Sequence, residues 1–194
     1  MPFERKLHNK FLLWFGCRPT SVVATLRNGL RLQTAEAPAT SLRFGKGIYL
    51  TDCFSRAAAQ SIGEAGPVTA GQARQGVVFL VEVALGDMHW AFQPEPTLQM
   101  PEMAHSVYGV GAQKPDIKGL IDLRSAAPNF AIEKNATHTK SQLFFHTGKM
   151  KPNPDLPSEE AQTNEQRFND FVAFDPAQVK LKYALMCDFF KAAP

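Results

Sequence analysis

At 194 residues, 44% of them hydrophobic, the chain has the length and apolar content of one ordinary domain with a real core. Its 21 Lys and Arg against 18 Asp and Glu leave +3, a charge too small and too scattered to argue for nucleic-acid binding. Cys17, Cys53 and Cys187 are odd in number, far apart and never in a CxxC pair, which argues against a disulfide framework or a zinc site and suits a reducing compartment.

The early apolar run Phe11–Phe15 is too short for a signal-peptide core, and no stretch approaches the roughly 20 apolar residues that span a bilayer. A non-membrane, intracellular protein, nuclear or cytoplasmic, is the expectation. Phe11-Leu12-Leu13-Trp14-Phe15 reads as a central buried strand, broken by Gly16-Cys17-Arg18-Pro19. Val22, Val23 and Leu26 then recur at helical spacing, with Gly29 placed just past the helix end. Residues 31–43 lack periodicity and hold Pro38, so they read as loop.

The stretch Phe44–Gln60, FGKGIYLTDCFSRAAAQ, is a candidate ligand site. Gly45 and Gly47 allow a tight turn or a close approach to a ligand. Tyr49 lies between Ile48 and Leu50, so strand alternation turns it away from both. Asp52 is placed to cap a helix over Cys53–Gln60, whose Ala57-Ala58-Ala59 run favours helix. A Gly- and Gln-rich connection, Ser61–Gly76, follows.

Val77–Leu85 is the clearest strand signal, rich in β-branched residues and ended by Gly86-Asp87. From there to about Arg167 the pattern is loop and short strand, with turns at Gly109-Val110-Gly111 and Pro115-Asp116 and an irregular Lys151–Pro157. A long insert of this kind is more often functional or mobile than inert. Two strands close the chain, Phe168–Phe174 and Gln178–Phe190. In the second, Val179, Leu181, Tyr183 and Leu185 alternate with Lys180, Lys182 and Ala184. In the first, Asp170 shares a face with Phe168, Val172 and Phe174, where a carboxylate is costly without a partner. Strands outnumber helices and no repeat is visible, so the class is α+β around largely antiparallel sheet. The histidines at 8, 89, 105, 138 and 146 show no metal-ligand spacing.

These pieces together resemble the catalytic domain of the poly(ADP-ribose) polymerase family, most closely its DNA-damage branch. Leu7–Arg18 is similar to the family's opening, in which a Leu-His-Asn leads into Leu-Leu-Trp-His-Gly-Ser-Arg. Gly29-Leu30-Arg31, Glu36–Thr40, Phe44–Tyr49, Glu82–Met88, His105-Ser106-Val107 and Ala177–Tyr183 follow in the family's order. The resemblance implies the ADP-ribosyltransferase fold, two small mainly antiparallel sheets around an NAD cleft with few helices. It also implies cleavage of the nicotinamide–ribose bond of NAD and transfer of ADP-ribose to an acceptor, with no metal. DNA-damage members carry a helical regulatory region ahead of the opening. Here Leu7 follows Met1 by a few residues, so one catalytic domain over residues 1–194 is the expectation.

The family's His–Tyr–Glu triad falls on Phe15, Tyr49 and Asp170. By the resemblance, Tyr49 stacks on nicotinamide, Gly16 holds its carboxamide through backbone groups, and Arg31 lies by the adenosine–diphosphate half. Asp170, one methylene shorter than glutamate, holds the ribose 2′-hydroxyl and stabilises the oxocarbenium-like transition state. Read from the residues alone, Tyr49 is an ordinary strand tyrosine, Arg31 a solvated loop arginine and Phe15 the end of a buried strand. Asp170 is equally a strand aspartate paired with Arg56 or Arg167.

Further departures gather in the same pocket. Phe15 has no group to hydrogen-bond the adenosine ribose. Cys17 replaces a serine, Ala57 replaces a serine hydroxyl for the carboxamide, and Gln60 replaces a second stacking ring, while Arg56 keeps a lysine's charge. These losses weaken NAD binding by about 3–4 kcal/mol, some hundredfold or more. Single transfers are therefore expected over polymer growth, with a weak or inactive pseudoenzyme acting as a binding module as the rival and an NAD glycohydrolase as a third reading. The protein is expected to act as a monomer. Its acceptor, protein or nucleic acid, is left open, with the choice expected in the insert 132–166.

Overall fold

The computed structural model describes residues 3, 6–32, 42–62, 73–123, 143–161 and 165–190. The Glu36–Thr40 segment, residues 132–142 and 162–164 of the insert and residues 63–72 of the connection therefore lie outside the described residues. The apolar run near the start forms β1, Lys10–Cys17, the middle strand of a five-stranded sheet. On one side it pairs antiparallel with β3 (Ala73–Ala84), and on the other its first residues pair parallel with β8 (Leu143–His146). Strand β11 (Val179–Phe190) covers the far edge of β3, and β7 (Leu120–Asp122) the far edge of β8.

A second sheet of four strands has the order β2 (Ile48–Leu50), β10 (Asp170–Ala173), β5 (Ser106–Gly109) and β4 (Met88–Ala91). Its pairs are antiparallel except β4 with β5. A two-stranded ribbon joins β6 (Gln113–Pro115) to β9 (Met150–Pro152). The class is α+β with mainly antiparallel sheet, as expected. Lys151 and Pro152, read as irregular, are strand residues in that ribbon, and Gly109 ends β5 instead of making a turn.

The main core lies between the two sheets. Leu13, Phe79, Val81 and Val83 meet Ile48, Leu50, Phe171 and Ala173 there, each at most 5% exposed. Full burial of one such side chain contributes roughly 1.5–3 kcal/mol, which is why the apolar runs of β1 and β3 become inner strands. The outer face of the five-stranded sheet is covered in part by α2 (Phe54–Ile62). The outer face of the other carries Phe44, Val107 and Val172 against Tyr49.

Three expectations need correction. Helix α1, Val22–Asn28, forms and ends at Gly29, whose φ of 73° lets its N–H reach the Thr25 carbonyl. Val22 packs against the inter-sheet core as expected, but the buried residue is Thr25, whose Oγ1 lies 3.5 Å from Cys17 Sγ, while Val23 and Leu26 are 75% and 58% exposed. In β11 a bulge between Leu181 and Tyr183 breaks the alternation: Leu181 packs into the inter-sheet core and Leu185 into the outer cluster around Leu80. The bulged Lys182 pairs with buried Glu82 at 2.9 Å. Gln178 precedes the strand, in a 3-10 turn capped by Asp175.

Asp52 is the third correction. Helix α2 begins at Phe54, and Thr51 Oγ1, not Asp52, accepts from the Cys53 N–H at 3.2 Å. All three cysteines are free, with Cys17 and Cys53 buried. No helix among the described residues is long and apolar enough to cross a membrane.

Candidate active site

Tyr49 and Asp170 sit on neighbouring strands. Tyr49 of β2 is in register with Val172 of β10, so it projects to the outer face that Asp170, two residues before Val172, also shares. Its hydroxyl donates to the Gly45 carbonyl at 2.7 Å and accepts from the Phe44 N–H at 2.9 Å. Burial pushes the phenol up to about 12, with the nearby Asp170 charge adding and the Phe44 N–H opposing, so it is neutral across the physiological range. The phenol is thus pinned into its own turn.

The glycines explain that turn. Gly45 has φ +81°, a region an L side chain rarely adopts. At Gly47 a Cβ would stand 2.2 Å from Val172 Cγ1, so the residue is needed for close packing of β2 on β10.

Asp170 is 2% exposed and pairs with Gly109 of β5. Arg56 of α2 reaches it, with Nη2 2.6 Å from Oδ1 and 2.8 Å from Oδ2. Burial raises the carboxyl to about 6, against the pull of Arg56 and then Arg43. Asp170 therefore has the partner that a carboxylate at a buried position requires. Arg167 does not pair with it: its guanidinium lies 5.0 Å from the Phe168 ring centroid and its Nε donates to Gln113.

Gly16 occupies the crossing of β1 and α2. A Cβ there would stand 2.0 Å from the Ala57 carbonyl oxygen and 2.7 Å from Gln60 Cβ, so only glycine fits. Trp14 exchanges both backbone hydrogen bonds with Thr51, at 2.8 and 3.0 Å, on the edge of β1 away from β3. Backbone groups alternate sides along an antiparallel strand, so the N–H and C=O of Gly16 face that same edge, two residues beyond the bridge. Ala57 is fully buried beneath this crossing and Gln60 is exposed beside it.

Phe15 and Cys17 point to the other face of β1. The Phe15 ring is half-buried against the inter-sheet core, 6.5 Å from the Phe79 ring, and Cys17 is 2% exposed against Thr25. Arg31 is exposed. Tyr49, Asp170 and Arg56 are thus brought together, Gly16, Ala57 and Gln60 form a second group along α2, and Phe15 and Cys17 lie apart from both.

Sequence reasoning missed Arg43, a half-buried cation acting on Asp170, and the frame behind Asp170. Asn169 is 1% exposed: its Nδ2 donates to Asp52 Oδ2 at 2.7 Å, its Oδ1 accepts from the Gly111 N–H at 2.9 Å, and its carbonyl accepts from Thr51 Oγ1 at 2.9 Å. The available signal was the position of a polar Asn beside the flagged aspartate.

The family model described as the poly(ADP-ribose) polymerase catalytic domain matches residues 2–189. The chain belongs to this family. It is 32% identical over 189 residues to poly(ADP-ribose) polymerase 1 of Xenopus laevis and 33% identical over 189 residues to that of Gallus gallus. In both cases the match covers 97% of this chain and 16% of the relative. It is 28% identical over 188 residues to poly(ADP-ribose) polymerase 2 of Homo sapiens, covering 96% of this chain and 28% of that protein. The chain thus spans about a sixth of the length of the first two relatives. The two mainly antiparallel sheets with few helices are the fold of this family. Among the described residues no group of three or more His, Cys, Asp or Glu is arranged to hold a metal.

Proposed function

We propose that this domain transfers single ADP-ribose units from NAD to an acceptor and releases nicotinamide. One observation carries the reading: a buried carboxylate, Asp170, lies on the strand beside Tyr49, on the face that α2 reaches through Arg56. Gly16, at the start of that helix crossing, turns both backbone groups to an edge without a neighbouring strand among the described residues. An amide such as the nicotinamide carboxamide matches that donor–acceptor pair. Tyr49 would give the ring a stacking face, its hydroxyl being engaged by Gly45 and Phe44.

In this mechanism the ribose 2′-hydroxyl donates to Asp170. The bond from C1′ to the nicotinamide nitrogen breaks, and its electron pair leaves with nicotinamide. Positive charge spreads over C1′ and the ring oxygen, and the ionised carboxylate stabilises it in a buried setting. The acceptor's nucleophilic atom then bonds to C1′ from the opposite face and gives up its proton to solvent water. The shorter reach of aspartate, with its oxygens shared with Arg56, favours single transfer over elongation, since a misplacement of about 1 Å can cost on the order of a hundredfold in rate.

A second reading is favoured by a different observation. Arg56 Nη2 lies within hydrogen-bond distance of both Asp170 oxygens, and Phe15 is engaged by the inter-sheet core. An inactive domain of the same fold, used for binding, would show those features. Incubation with NAD labelled in the adenosine half, scored for released nicotinamide and for label on acceptor proteins or nucleic acids, separates the two. The transferase reading expects nicotinamide release, single-unit adducts, and loss of both in Asp170→Ala. Absence of turnover and of any NAD-dependent thermal shift at millimolar NAD would overturn it.

A further inference from the structure

We infer that Asp52 is a positioning residue for Asp170, acting through Asn169. The inference rests on the transferase reading of the site. Asp52 lies at the junction where β2, carrying Tyr49, passes into α2, carrying Arg56. Two residues of this junction grip the residue before Asp170: Thr51 Oγ1 donates to the Asn169 carbonyl at 2.9 Å, and Asp52 Oδ2 accepts from Asn169 Nδ2 at 2.7 Å. The other end of the Asn169 amide is held by the Gly111 N–H at 2.9 Å and by Asn153 Nδ2 at 3.2 Å. Asn153 in turn donates to the Gly111 carbonyl at 2.9 Å. Three separate segments, the β2–α2 junction, the turn after β5 and the turn after β9, therefore converge on one amide side chain.

This arrangement leaves the Asn169 side chain no rotamer freedom, and Asp170 inherits its backbone setting from it. Asp52 is 6% exposed, and its Oδ1 is buried with no hydrogen-bond partner. Helix α2 begins at Phe54, which puts Asp52 one residue ahead of the capping position, and its Oδ2 is taken up by Asn169. Thr51 Oγ1 already accepts from the Cys53 N–H just ahead of the helix. What Asp52 alone supplies is an acceptor for Asn169. The charged groups around it are Lys114 and Asp170, with the Tyr108 phenol near enough to feel its charge. Asp170 itself faces Arg56, Arg43 and Tyr49.

The test compares Asp52→Ala with Asp52→Asn in the full chain, by steady-state nicotinamide release and by carbon-13 NMR titration of the Asp170 carboxyl. Asp52→Ala is expected to lower kcat by about tenfold to a hundredfold with KM for NAD within about threefold, the split expected when alignment for the reaction is lost. It also shifts the Asp170 midpoint away from the wild-type position. Asp52→Asn keeps an oxygen for Asn169 and is expected to stay within about threefold of wild-type kcat, with the Asp170 midpoint unmoved. An Asp52→Ala protein with wild-type kcat and an unmoved midpoint would overturn the inference. So would a folded Asp52→Asn protein as impaired as Asp52→Ala, and this variant decides the question if Asp52→Ala does not fold. If the wild-type chain releases no nicotinamide, the transferase reading fails by itself, and the titration still shows whether Asp52 sets the surroundings of Asp170.

Discussion

At Phe15 the proposed NAD site and the fold make different demands on one side chain. Its ring continues the apolar face of β1 and packs towards Phe79, so the strand loses nothing by its presence. A ribose hydroxyl brought to the same place would find no partner. Phe15→His is therefore expected to tighten NAD binding by about tenfold, the effect of one hydrogen bond of about 1–1.5 kcal/mol, as read by titration calorimetry. Unchanged or weaker binding would mean that the adenosine ribose does not lie at this position. At this scale the sequence is informative where chemistry conflicts with environment: a carboxylate in an apolar period-two face marks Asp170. It is silent on Arg43 and misleading on Asp52, because an Asp before a helix reads as a cap whether its carboxylate faces solvent or the interior.

Elements built from unbroken apolar residues were legible, and those that depend on a local irregularity were not. Strands β1 and β3 bury residues on both faces, which leaves continuous apolar runs. The bulge in β11 is invisible in its alternating text, since inserting one residue changes which neighbour is opposed and not which residue types follow one another. The short strands between β3 and β10 hold three or four residues each, too few to show a period. The inward Thr25 of α1 answers to Cys17, a contact no helical pattern reveals.

The glycine pair was legible as a feature but not in its cause. Gly45 serves the turn through its backbone conformation, whereas Gly47 serves the contact of β2 with β10. Gly47→Ala is thus expected to destabilise the chain by about 1–3 kcal/mol through overpacking, seen as a lowered midpoint in urea unfolding at unchanged slope. A midpoint equal to wild type would show that β2 has room to shift.

For the whole molecule, the family resemblance implies two small, mainly antiparallel sheets with few helices, and the fold has that arrangement. The side-by-side placement of two raised carboxyls does not follow from it. Asp52 and Asp170 stand at about 7 and about 6, both raised first by burial. A carboxyl raised on folding binds its proton more tightly in the folded state, so its stabilising contribution is full below the ordinary value of 3.8 and is lost as pH rises through 6 to 7. His146, lowered by burial to about 4, acts in the opposite sense, losing its contribution as pH falls from 6.5 towards 4. The two acids outweigh the one histidine in this window. Replacing Asp52 with Asn removes one of the acids, so Asp52→Asn is expected to exceed wild type in melting temperature at pH 8 by about 2–4 °C, the shift that ~1 kcal/mol makes in a chain of this size. The advantage should shrink below pH 6, and a difference independent of pH would show that Asp52 does not titrate in this range.

In the proposed mechanism the Asp170 carboxyl sets the pH at which the site works. On that proposal only ionised Asp170 stabilises the developing ribosyl cation, so the rate is expected to follow its deprotonation. The most direct test is the rate of nicotinamide release at saturating NAD from pH 5 to pH 8. The rate should climb through about pH 6 and level off above it, as the Asp170 carboxyl ionises. In Asp170→Asn it should be low and flat. A wild-type rate that is independent of pH, or that falls as pH rises across this range, would contradict the assignment of Asp170 as the carboxylate that drives the reaction.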